Sequence, residues 1–118
     1  MGGSPLMIRS AADFAALQAS SRSRAHPLLV LRYRRNDEEP TRYGISTGRR
    51  MGGAVVRNRV RRRLRSLLRQ LDARVAGGWD VLIVCRPPAA TATQAELGTA
   101  LERLMIGAGL LERRTDDA

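Results

Sequence analysis

Lysine is missing altogether from these 118 residues, and there is one cysteine, one histidine, one phenylalanine, one tryptophan and two tyrosines. Each scarcity excludes something. A single thiol, Cys85, forbids an internal disulfide and any multi-cysteine metal site. With no lysine and only His26, little general acid–base chemistry is available. The acids are scattered through the chain (Asp13, Asp37 to Glu39, Asp72, Asp80, Glu96, Glu102). Metal-assisted phosphodiester cleavage needs them clustered, so no catalytic residue and no protein metal site are assigned. No run approaches the roughly 18 apolar residues of a membrane span. Met1-Gly2-Gly3-Ser4-Pro5 lacks the basic and apolar regions of a signal peptide. The expectation is a cytoplasmic protein, not catalytic by itself and not bound to a membrane.

What is present is arginine. The formal net charge of +10 comes from 21 basic and 11 acidic residues, and every basic residue is arginine. GC-rich coding is the bland account of that choice. The physical consequence stands regardless, because the planar guanidinium fork suits phosphate oxygens better than a point charge does. Placement says more than total charge. From Pro40 to Leu71 there is no acid, and ten arginines fall in that window. A one-sided field of this kind concentrates and steers a polyanion.

The length fits one domain, with residues 1–8 and 112–118 expected to be flexible ends. Ser10 is a plausible N-cap for a helix over residues 10 to 20, with Phe14 and Leu17 on one face. Residues 27 to 35 read as a strand, Asn36 to Pro40 as the turn of a hairpin, and residues 41 to 47, with Tyr43, Ile45 and Thr47 at period two, as its partner. Residues 54 to 74 form the longest periodic segment. Val56, Val60, Leu64, Leu67 and Leu71 fall in one stripe; Asn58, Arg61, Arg62, Arg65 and Arg69 fall opposite; Arg57, Arg59 and Arg63 lie on the borders. Gly77-Gly78 ends that helix. Val81 to Val84 is apolar on both faces, as a central strand is, with Trp79 expected at the sheet edge. Thr93-Gln94-Ala95-Glu96 is a capping box for a last helix with Leu97, Leu101, Leu104 and Met105 inward. Helix, two strands, helix, strand, helix make an α+β domain with helices on a small sheet.

The central helix carries the functional signal. Nine arginines lie between positions 49 and 69. Pairs such as Arg61/Arg65, Arg62/Arg65 and Arg65/Arg69 each cost a few tenths of a kcal/mol, roughly, when no anion is present. A polyphosphate relieves that repulsion. Membrane or calmodulin-like partners for a basic amphipathic helix are the weaker reading, because the apolar stripe lacks aromatic anchors and is taken up by the core.

The stretch from Gly44-Ile45-Ser46 through Ala54-Val55-Val56-Arg57-Asn58-Arg59-Val60-Arg61-Arg62 resembles the signature of the bacterial ribonuclease P protein component. Ala12-Asp13-Phe14, and Asp80-Val81-Leu82-Ile83-Val84 followed by Arg86-Pro87, extend the resemblance over roughly residues 8 to 111. It implies an α/β sandwich with a left-handed βαβ crossover, like the second domain of a small-subunit ribosomal protein. It implies association with a catalytic RNA that holds most of the Mg²⁺ and removes the 5′ leader from precursor tRNA. By position, it makes Arg49, Arg50, Arg57, Asn58, Arg59, Arg61, Arg62, Arg65 and Arg69 RNA-contacting, and Phe14 a leader-cleft aromatic. The family usually has an aromatic on the first strand near the cleft; here Arg32 takes that place and Tyr33 falls on the other face. The family often has Gly-Asn where this chain has Gly52-Gly53. The alternatives are another RNA-binding structural protein, such as a ribosomal protein of similar architecture, and a DNA-binding regulator. No helix-turn-helix spacing supports the latter.

Overall fold

The computed structural model describes residues 5–36 and 40–112. Asp37 to Glu39, the middle of the expected hairpin turn, lie outside the described residues, as do residues 1–4 and 113–118 at the expected flexible ends.

The elements in chain order are β1 (Leu6–Met7), α1 (Ala11–Ala19), β2 (Arg22–Ala25), β3 (Leu29–Arg35), β4 (Arg42–Thr47), α2 (Ala54–Leu71), β5 (Trp79–Cys85) and α3 (Gln94–Gly107). Short 3-10 turns cover Arg49–Met51, Asp72–Arg74 and Pro87–Thr91. The five strands form one mixed sheet in the order β1-β4-β5-β3-β2. This is the α+β architecture read from the chain, with two additional strands. Pro5 to Ile8 are not a loose end: β1 pairs in parallel with β4, and Ile8 is buried.

The expected hairpin between residues 27–35 and 41–47 is not formed. β5 lies between them, antiparallel to β3 and parallel to β4. The reason is burial on both faces: Val81, Leu82 and Ile83 are all fully enclosed, which only a strand flanked on both sides and covered above and below achieves. The true hairpin joins β2 to β3. At its turn the Leu28 N–H donates to His26 Nδ1 at 3.1 Å. β2 reads Arg-Ser-Arg-Ala and is exposed throughout, so it carries no hydrophobic alternation. Trp79 opens the central strand instead of lying on a lateral edge. It stands opposite Arg35, with Tyr33 5.9 Å away.

Helices cover both faces. On one, Val60, Leu64, Leu67, Leu68 and Leu71 of α2, with Leu97, Leu101, Leu104 and Met105 of α3, pack on Leu29, Leu31, Tyr33, Tyr43, Val81 and Ile83. On the other, α1 places Leu17 and Phe14 against Leu82, Val84 and Ile8. The parallel pair β4 and β5 joined through α2 is the expected βαβ unit. Two caps fix the helix starts. Ser10 Oγ accepts from the N–H groups of Ala12 and Asp13, and Thr93 and Glu96 exchange bonds of 2.8 and 3.1 Å. Among the described residues no helix is long and apolar enough to cross a membrane.

Candidate nucleic-acid interface

α2 begins after a loop punctured by glycine. Gly52 has φ of +139°, a conformation that side chains avoid. Met51 is buried and anchors the loop, leaving Arg49 and Arg50 exposed beside it. Gly53 occupies the N-cap position and supplies no side-chain acceptor, and the first turn holds no acid. An asparagine there would offer an acceptor. The positive end of the helix dipole therefore adds to the arginine field instead of being locally neutralised.

Along the helix the arginines divide into two groups. Arg62, Arg65 and Arg69 are exposed, with Asn58, on the side away from the core. Arg57, Arg59, Arg61 and Arg63 are half-buried. Arg59 donates to the Ala90 carbonyl at 3.3 Å and Arg63 to the Ala92 carbonyl at 2.8 Å, tying the helix to the chain after β5. Nε of Arg57 and of Arg59 is enclosed without a partner. Arg61 departs from its place on the helical wheel. Its guanidinium donates to Asn58 Oδ1 at 2.9 Å, and its charge acts on Cys85 at the end of β5: burial pushes the Cys85 thiol up to about 12, and Arg61 opposes that rise. Long arginine stems let a guanidinium reach sideways from its Cα position, which a wheel of Cα directions does not capture.

No arginine of α2 forms an ion pair among the described residues. The ion pairs there are Arg42 with Asp13 and Asp80, and Arg74 with Glu102. The exposed cationic face is therefore not neutralised by these carboxylates.

The opposite face of the sheet holds a second candidate surface. Phe14 is half-buried and lies on the backbone of β4, so close that a Cβ at Gly44 would stand 2.8 Å from Cε1 and Cζ of the ring. Arg32 is half-buried and, by strand alternation, on the same face; Tyr33 points into the core beneath α2 and α3. α1 is held over this face by Arg42. Its guanidinium grips Asp80 in a two-pronged contact (Nε to Oδ1 2.9 Å, NH2 to Oδ2 2.8 Å) and reaches Asp13 of α1 at 3.3 Å. Burial pushes the Asp80 carboxyl up, but hydrogen bonds from Arg42 and Asn36 outweigh it and hold the group below its ordinary value of 3.8. Sequence reasoning missed Arg42. Nothing local marks it, because its partners are 29 and 38 residues away. Gly44 was open to recognition, since a glycine inside a strand often marks close approach by another group.

The described residues contain no group of three His, Cys, Asp or Glu placed to hold a metal ion.

A cationic helix without ion pairs among the described residues on one side of a mixed sheet, with an aromatic lying over the other, defines a small basic-faced α+β protein. Known proteins make the class specific. The family model described as Ribonuclease P matches residues 5–109. The ribonuclease P protein component of Symbiobacterium thermophilum is 37% identical over 107 residues, covering 90% of this chain and 93% of that one. That of Roseiflexus castenholzii is 33% identical over 106 residues, covering 89% and 87%. The structure of the Staphylococcus aureus RNase P protein superposes with a TM-score of 0.83 at 25% identity, covering 90% of this chain and 97% of that one. The Thermotoga maritima RNase P protein, at 22% identity and a TM-score of 0.75, shares the fold over 83% of this chain and 94% of that one. The chain belongs to the ribonuclease P protein family.

Proposed function

We propose that this chain is the RNA-binding accessory subunit of ribonuclease P, which helps a catalytic RNA remove the 5′ leader from precursor tRNA. The observation that carries the reading is the guanidinium face of α2, which no carboxylate among the described residues neutralises. Arg62, Arg65 and Arg69, with Arg49 and Arg50 before them and Asn58 alongside, meet the phosphates of the catalytic RNA. Arg57, Arg59 and Arg61 reach the same RNA from the helix borders with whatever terminal nitrogens their internal contacts leave. Guanidinium groups set against RNA phosphates replace counterions that would otherwise be needed to bring strands together. The protein should therefore matter most when Mg²⁺ is scarce.

On the other side of the sheet, Phe14 offers a stacking surface for a leader base and Arg32 a guanidinium plane or phosphate contact. Only the precursor has a leader, so this contact favours substrate over product; specificity is a difference of affinities. Bond cleavage and the Mg²⁺ that assists it belong mainly to the RNA in this reading. The protein binds and orients, and its compartment is the cytoplasm. A ribosomal role for the same architecture has no supporting observation now that the family is known.

Reconstitution tests the proposal: the protein is combined with a bacterial ribonuclease P RNA at low Mg²⁺, and leader removal from precursor tRNA is followed. Stimulation that saturates with protein is expected. No stimulation at any protein concentration rejects it.

A further inference from the structure

A second basic surface lies at the opposite end of β3 and β5 from the start of α2. There the chain leaves α1 and enters β2, enclosing a hollow of about 440 Å³ between Ser21, Arg22, Tyr33, Arg34, Arg35 and Trp79. We propose that this hollow holds one nucleotide of single-stranded RNA, with its base stacked on the Arg35–Trp79 pair and its phosphate held by Arg22 and Arg34.

Three observations converge. First, Trp79 is the only indole in the chain and is half-buried. Tyr33 braces it from within, its ring tilted by 60°. The Arg35 guanidinium carbon lies over its ring, 5.2 Å from the centre, so a cation-on-aromatic pair lines the hollow. Such a surface accepts any base, because every base has a π-face. Second, three arginines line the hollow, and among the described residues no acid does. Their backbones belong to the strand ladder, but none of the three guanidinium groups makes a hydrogen bond or ion pair to another described residue. Arg34 feels the charge of Asp80, whose oxygens are already occupied by Arg42 and Asn36. Third, the size lies within the range of small-ligand sites. A simple anion would need only the guanidinium rim, whereas a nucleotide uses both the rim and the stack.

The position also matters. Arg22, Tyr33, Arg35 and Trp79 share one sheet face through their pairing, and Arg34 projects to the other, where Arg32 and Phe14 lie. Arg34 thus belongs to both surfaces. An RNA strand following α1 past Arg32 would turn over the rim of the sheet at Arg34 and enter the hollow. That this strand is the 5′ leader rests on the function proposed above. That the hollow takes a nucleotide does not.

Trp79 emission reports occupancy directly. An unstructured oligoadenylate titrated into the full chain should quench it. Arg34→Gln and Arg35→Gln, which leave the core intact, should each weaken oligoadenylate binding by about tenfold, the effect of losing one stacked or phosphate contact. In the reconstituted holoenzyme, Arg35→Gln and Trp79→Leu should weaken binding of precursor tRNA carrying a long leader by a similar factor. They should not affect a precursor whose leader is cut short enough to end beside Phe14. Wild-type binding of long-leader precursor by Arg35→Gln overturns the leader as the strand in the hollow; unchanged emission at saturating oligoadenylate, or wild-type binding of oligoadenylate by Arg35→Gln, overturns the site. If leader removal is still stimulated in that case, the proposed function survives without the pocket. Quenching without any stimulation of the catalytic RNA supports the pocket and removes the function.

Discussion

Arg65 lies on the exposed side of α2, with Arg61 and Arg69 one turn away in each direction and Arg62 three residues before it. No described carboxylate pairs with any of them. Like charges at these spacings cost about 0.2–0.5 kcal/mol each at low ionic strength, and alanine is the better helix former. Arg65→Ala should therefore stabilise the free protein by on the order of 1 kcal/mol, or roughly 3–5 °C in Tm by thermal unfolding in low salt. The gain should shrink at about 1 M salt, where the Debye length falls to about 3 Å. RNA binding should move the other way. Each duplex phosphate neutralised contributes about 0.9 to the slope of log affinity against log salt. A face that covers about six phosphates loses roughly two-thousandfold in affinity between 50 and 200 mM salt, and one that covers five loses roughly five-hundredfold. Arg63→Ala is the contrasting case. It strips the donor from the Ala92 carbonyl and should cost about 1 kcal/mol of stability, with the salt slope unchanged. The division of the helix into an RNA face and a structural border fails if Arg65→Ala lowers Tm in low salt or keeps the wild-type slope. It fails equally if Arg63→Ala alters the slope and not Tm.

Gly44→Ala should cost about 1–3 kcal/mol, because the new methyl would stand 2.8 Å from the Phe14 ring and overpack the contact. Combining it with Phe14→Leu should recover part of the loss; a Tm no higher in the double variant than in Gly44→Ala would show that the ring is not what the methyl meets. Acid should unfold the protein partly through Asp80. Its carboxyl is depressed in the folded state, so its contribution is complete above the unfolded value of 3.8 and is lost as pH falls through the folded value. Asp80→Asn should flatten the acid limb of stability against pH measured by circular dichroism, and an unaltered limb would assign the acid sensitivity elsewhere.

How much of this was legible in the chain follows from the range of the interactions involved. The buried stripe of α2 and the capping box at Thr93 were readable because a helix writes its contacts within four residues, where periodicity exposes them. Strand pairing leaves no such local record. Residues 27–35 and 41–47 look like a hairpin to any reading that pairs neighbours, and only the two-sided burial of Val81 to Ile83 forces β5 between them. The same apolar run had already marked a central strand; what it could not say was which strands it separates. β2 left no signal because an exposed Arg-Ser-Arg-Ala edge has no face to alternate. The site divides along the same line. The charge density of α2 is a property of sequence, whereas the fate of each guanidinium is a property of what folds back upon it. Arg59 and Arg63 meet carbonyls 31 and 29 residues away, and Arg42 bridges two carboxylates that no spacing connects. A run of arginines therefore marks a cationic surface as a whole but overstates it residue by residue, because the ones bordering the core are partly spent on holding the helix in place.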